Sequence, residues 1–136
     1  MTLPRKTYTS IVVEREVAAP RQAVWDALIG FYEPFLGGPD VHLVGAAFDF
    51  EVDGLNLREE VLSLEPPWRR VYGVTGGPVA LYQGTSAITD RGDSCLLVWS
   101  LVVDPLPDVA SDAFLAAAES VVGDVVDRLA STAETR

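Results

Sequence analysis

The chain has a single lysine, Lys6, and its ten basic residues face twenty acidic ones, for a net charge of −10. Such a surface repels nucleic-acid phosphates and anionic lipid heads, which argues against nucleic-acid and membrane-surface partners. No apolar run approaches the roughly 20 residues a membrane-spanning helix requires, and Met1–Ser10 lacks a signal-peptide core. With Cys95 as the only cysteine, no intrachain disulfide can form. Nothing therefore indicates an oxidising compartment, and a cytoplasmic location is expected. Leu96, Leu97 and Val98 beside it mark Cys95 as a small buried residue rather than a nucleophile. The sole histidine, His42, cannot build a zinc site by itself, and no acidic-histidine spacing of zinc type occurs. Asp49, Glu51 and Asp53 alternate along one strand face and read as solvated charges rather than a cation site. Gly76-Gly77 runs into Pro78 and a strand, so it is not a phosphate-cradling loop, and no Gly-x-Ser-x-Gly nucleophile elbow occurs. No metal and no cofactor is expected.

What is present is enough for one domain over residues 1–136, with an apolar fraction of 49% and room for a core without staples. The dominant stretch is Asp108–Ala130, which reads as one amphipathic helix. At about 100° per residue, Phe114, Leu115, Ala118, Val121, Val122, Val125, Val126 and Leu129 share a face, opposite Ser120, Asp124, Asp127 and Arg128. Such a helix spans roughly 34 Å, the width of a small domain. Asp108 or Ser111 can cap it, and a frayed tail is expected over Thr132–Arg136.

Ahead of it, Tyr8–Val17 alternates as a first strand. Ala19-Pro20 opens a helix that Gly30 ends, and a second short helix over Phe31–Leu36 is broken by Gly37-Gly38-Pro39. Strand patterns follow at Val41–Ala46, Ala47–Val52, Leu55–Leu64, Arg69–Thr75, Val79–Thr89 and Ser94–Val103. Asp53-Gly54 is a tight turn, and Pro66-Pro67, Gly76-Gly77-Pro78 and Asp90-Arg91-Gly92-Asp93 supply the other breaks. The expected fold is α+β: a curved antiparallel sheet of six to seven strands around one long C-terminal helix, with two short helices after the first strand.

Period-two alternation places Tyr82, Gly84, Ser86 and Ile88 on one face, and Leu97, Trp99, Leu101 and Val103 on the face turned to the helix. Tyr72 and Val74 form an inward pair. On Leu55–Leu64 the pattern is divided: Glu59 faces inward with Leu57 and Val61, or Glu60 does so with Leu62 and Leu64. Leu96, Val98 and Val102 make the other face of the last strand apolar as well, where a sheet turned to water should be polar. A second subunit is the simplest cover, and a homodimer is expected.

Four segments carry a family resemblance: Ala19-Pro20 through Val24-Trp25-Asp26-Ala27-Leu28; Val61 to Arg70 around Leu64-Glu65-Pro66-Pro67; Tyr82-Gln83-Gly84-Thr85; and Val98-Trp99-Ser100 to Val103-Asp104-Pro105. In this order and spacing the chain resembles the START-like, or Bet v 1-like, superfamily, most of all its bacterial polyketide cyclase/dehydrase-type members. The resemblance implies a helix-grip fold with a cavity between sheet and long helix. It departs in two places: Phe35 stands nearest to a tryptophan common in related bacterial sequences, and Ala46-Ala47-Phe48-Asp49-Phe50 replaces a glycine-rich segment. The cavity lysine and gate loops of the plant hormone receptors are absent.

The resemblance turns Tyr82 inward and favours Glu59 over Glu60. The expected walls are Tyr72, Val74, Trp99, Leu101, Phe114, Ala117, Ala118, Val121 and Val125, with the alanines leaving space at mid-helix. Glu59 and Tyr82 are the candidate polar or catalytic pair, since a desolvated carboxyl can titrate near neutrality. The expected function is binding of a small hydrophobic or aromatic molecule such as a lipid, polyketide or isoprenoid. The alternatives are a polyketide aromatase/cyclase or dehydrase-type enzyme, and a protein-interaction module.

Overall fold

Alternation of apolar and charged residues makes Thr9–Val17 a strand, β1, with Ile11, Val13 and Val17 turned to the core. The computed structural model describes residues 7–106 and 111–135. Arg21–Leu36 forms α1, Ala47–Val52 β2, Leu55–Glu65 β3, Arg69–Thr75 β4, Val79–Asp90 β5, Cys95–Pro105 β6, and Asp112–Glu134 α2. The six strands pair antiparallel in the order β1-β6-β5-β4-β3-β2, so β1 and β2 are the two edges. Asp53 and Gly54 both take positive φ, 50° and 83°, the backbone of the tight β2–β3 hairpin turn.

Three expectations are corrected. The two short helices are one: α1 runs through Gly30 and Pro34 without a break. Glycine inside a helix costs roughly 1 kcal/mol. Burial of Val24, Trp25, Leu28 and Tyr32 along one face is worth about 1.5–3 kcal/mol per large apolar side chain and outweighs it. Gly30 itself lies on the exposed face. Val41–Ala46 is not a strand. A short 3-10 turn over Pro39–Val41 leads into an irregular segment, which two backbone bonds, Gly45 N–H to Val61 and Val61 N–H to Ala46, tie to β3. Finally, the tail is helical through Glu134. Ala133 is buried, and Glu134 accepts from the Ala18 N–H at 2.9 Å and pairs with Arg15 at 3.5 Å. Ser111 stands at the N-cap of α2 without a side-chain capping bond. The proposed cap Asp108 lies outside the described residues.

The helix α2 crosses the concave face of the sheet and packs chiefly on α1, β1 and β6. Its C-terminal half is sealed: Val122, Val126, Leu129, Ala130 and Ala133 are all buried. Toward β2 the sheet and α2 diverge, and Val121, one turn before Val125, is 47% exposed. That divergence creates the hollow described next. No helix among the described residues is long and apolar enough to cross a membrane.

Candidate functional site

A cavity of about 260 Å³ lies between the middle of α2, the C-terminal half of α1 and the inner face of β2–β6. Tyr72, Val74, Tyr82 and Trp99 come from the sheet, and Val121, Val122 and Val125 from α2. Phe31, Tyr32 and Phe35 come from α1, while Phe48, Phe50 and Val52 line it from the edge strand β2. Two carboxylates share this lining, Glu59 and Glu51. A narrow extension of about 50 Å³ continues past Val74 and Tyr82 to Phe114 and Ala118.

Two other concavities are larger but less enclosed by apolar walls. One of about 580 Å³ runs along the outer end of β2, β3 and β4, past Asp49, Glu51 and Arg58. Another of about 340 Å³ lies by Pro78, Ala113 and Ala117. Ligand sites are mostly apolar with a few converging polar groups, which singles out the aromatic hollow.

Glu59 reaches the hollow on the inward phase of β3, which a bulge reverses beyond Val61. The β3–β4 register slips between Val61 and Ser63. Up to Val61 the odd-numbered residues Leu57 and Glu59 point inward. Beyond the extra residue Leu62 the phase reverses, so Leu64, paired with buried Arg70, is inward too. A bulge puts two residues opposite one and flips the alternation after it. Glu59 is 6% exposed, whereas Glu60 faces solvent.

Behind Glu59 sits Arg70, fully buried on β4. Its Nη2 lies 3.0 Å from Glu59 Oε2, in an alignment that falls short of a straight hydrogen bond. Its Nε donates to His42 Nε2 at 2.9 Å, so the proton of the neutral imidazole resides on Nδ1. The guanidinium stacks 3.7 Å from the centre of the Tyr32 ring, a cation–π contact strengthened by burial. The Tyr32 hydroxyl lies beside Glu59 and favours its ionised form. Burial pushes the Glu59 carboxyl above its usual range, and Arg70 and Tyr32 pull against that shift. Burial, with the neighbouring Arg70 charge, lowers His42 to about 4.

On the other side of the hollow, Trp99 Nε1 donates to the Tyr72 hydroxyl at 2.9 Å. The Tyr72 and Tyr82 rings lie with their centres 6.4 Å apart, tilted by 40°. Burial holds Tyr82 up at about 12, so it stays a protonated donor across the physiological range. Gly84 lies opposite Tyr72 in the ladder. A side chain there would collide with the Tyr72 ring, so the glycine is what lets the ring lie flat across β5. The arrangement offers an aromatic slot with a buried carboxyl at one point and a hydroxyl donor at another. Such a pair can orient a polar group, and the carboxyl can exchange a proton at a pH above the usual carboxylate range.

Of the residues expected from sequence, Glu59, Tyr82, Tyr72, Val74, Trp99, Val121 and Val125 come together on this hollow. Phe114 and Ala118 line its narrow extension. Leu101 is fully buried away from it, and Ala117 borders the separate concavity near Pro78. Sequence reasoning missed Phe31, Tyr32, Phe35, Phe48, Phe50 and the Arg70–His42 pair. The phenylalanines do have one signal in the sequence: Phe35, Phe48 and Phe50 fall where the chain departs from its family pattern. In the structure Phe35 stacks on Phe48 with ring centres 5.0 Å apart. Cys95 is fully buried and free, and burial raises its thiol. Among the described residues no cluster of three potential metal ligands exists.

The profile of the family described as "Polyketide cyclase / dehydrase and lipid transport" matches residues 8–134. CalU16 from Micromonospora echinospora superposes with a TM-score of 0.69 at 19% identity, over 98% of this chain and 81% of its own. Mll3558 from Rhizobium loti gives 0.68 at 18% identity, over 93% and 97%. DynU16, described as a protein of the dynemicin biosynthetic locus, gives 0.65 at 23% identity, over 93% of this chain but 47% of its own. At such identities the likeness carries the fold alone. No curated protein matches the chain.

Proposed function

Because the chain belongs to the polyketide cyclase/dehydrase and lipid transport family, within the START-like superfamily, we propose that it binds a small hydrophobic or aromatic molecule between sheet and C-terminal helix. The observation that supports this most directly is the hollow of about 260 Å³ lined by eight aromatic side chains. Ligand pockets run at about 300–1,000 Å³, so this one suits a compact ring system better than a long acyl chain. Glu59 and Tyr82 serve as its polar anchors, and the aromatic rings supply stacking faces. The family description names polyketides and lipids, and DynU16's place in a biosynthetic locus is in keeping with a small metabolite.

Val121 offers the cleanest test, since it lines the hollow while standing 47% exposed on α2. Val121→Trp should plug the entrance without disturbing the sealed core. Titration with N-phenylnaphthylamine should saturate in the natural protein and weaken by about tenfold or more in the variant, equivalent to about 1.4 kcal/mol. Equal affinity in the two proteins would reject this cavity as the site.

The same reading includes a homodimer formed through the outer face of the sheet. Val12 and Val102 of β1 and β6, with Leu62 and Leu81 of β3 and β5, stand more than a third exposed there. Burial in a self-complementary contact accounts for apolar side chains on a sheet face otherwise turned to water.

A further inference from the structure

Resting on the binding role proposed above, we propose that the hollow selects a neutral aromatic ligand carrying a hydroxyl, a phenol or enol, and rejects the carboxylate of a fatty or aromatic acid. Among the described residues that line the hollow there is no lysine, arginine or histidine, and its two ionisable acids are Glu59 and Glu51. The nearby cations stand outside the lining. Arg70 has no exposed surface, gives its Nε to His42, pairs with Glu59 at 3.0 Å, and lies with its face on Tyr32. Arg128 rests over Phe31, 5.6 Å from the ring centre, and is not part of the lining.

An anionic head entering this slot would lose its hydration beside two carboxylates and gain no positive partner. A cationic amine fares little better. Glu59 is already paired with Arg70, so a second buried cation would sit near the first. A ligand without polar atoms would leave the remaining acceptor sites of Glu59 and the hydroxyl proton of Tyr82 unmet, a cost comparable to a lost hydrogen bond for each group. A hydroxyl meets both needs. It gives its proton to a lone pair of Glu59, which has more acceptor sites than Arg70 and Tyr32 fill. It accepts from Tyr82, whose hydroxyl remains protonated because burial holds it at about 12. The ring of such a ligand stacks among the phenylalanines, and Trp99 and Tyr72, bonded at 2.9 Å, hold the far wall in place.

Calorimetric titration of the full-length protein at about pH 7 with naphthol, naphthalene and naphthoate tests the selection, because the three share one ring system. At that pH the acid is ionised and the naphthol is not. Naphthol should bind about tenfold or more tightly than naphthalene, and naphthoate at least as much more weakly than naphthol. Glu59→Gln and, independently, Tyr82→Phe should each reduce the preference for naphthol over naphthalene severalfold, through weaker binding of naphthol. Naphthalene matching naphthol, or naphthoate binding best, would overturn the hydroxyl rule while leaving the hollow as a binding site. Binding of none of the three would instead overturn the site itself. Should Glu59→Gln fail to fold with Arg70 left unpaired, the series on the natural protein and the Tyr82→Phe variant still decide.

Discussion

At the scale of single residues, the most consequential group is a buried histidine on the segment before β2. His42 is 4% exposed and serves as the acceptor for a buried arginine. It can do so only as a neutral ring, because the imidazolium has no lone pair to offer. Its value drops from 6.5 to about 4 on folding. A group whose folded value is depressed lends stability above its unfolded value and withdraws it as pH falls toward the folded one. The protein should therefore lose about 2–3 kcal/mol between pH 6.5 and pH 4.5 through this residue. Glu59 works in the opposite sense, since its raised folded value makes the buried carboxyl easier to accommodate once protonated. Urea denaturation of the natural protein and of His42→Gln, at both pH values, checks the assignment. The variant keeps an acceptor for Arg70 but has nothing to titrate, and should lose less stability. An identical loss in both would place the acid sensitivity elsewhere.

At the scale of elements, the hollow depends on how neighbouring strands lock together. The Tyr72 ring crosses the ladder over Gly84 and meets Trp99 on β6. A single methyl at Gly84 would strike that ring and force it toward the cavity. Gly84→Ala should cost about 1–3 kcal/mol, as overpacking typically does, and should also weaken ligand binding. Chemical denaturation gives the first figure, and titration with N-phenylnaphthylamine reports the second change. Wild-type stability would show that the ring has another place to go. The β3 bulge is the other element-level device. Strand alternation by itself left Glu59 and Glu60 equivalent, since Leu57 and Val61 argued for one phase and Leu64 for the other. Both phases are real, one on each side of Leu62.

At the scale of the whole molecule, the charge of −10 and the apolar outer strands pull in different directions. Self-repulsion keeps copies apart, while Val12, at 58% exposure, and its neighbours favour contact. The homodimer proposed here predicts that light scattering at micromolar concentration gives a species of twice the 14.7 kDa chain mass. Added salt should screen the repulsion and strengthen association, and Val12→Lys with Val102→Lys should return the protein to one chain. A single-chain mass at every salt concentration would end that proposal.

The amino-acid sequence by itself determined the six strands that form, the antiparallel sheet and the long apolar helix, because these follow from side-chain periodicity and from turn residues with special backbone angles. It also marked Tyr72 and Trp99 as inward, since one strand phase buries them and the other exposes them, and the family resemblance turned Tyr82 the same way. Only the tertiary structure decided where a space remains. The divergence of α2 from β2, the phase change at Leu62, and the meeting of His42 with Arg70 across 28 positions depend on distances between elements. Periodicity within an element carries no information about those distances. For the same reason α1 continued through Gly30: local helix preference argued for a stop, and the face it buries against the sheet and α2 outweighed it.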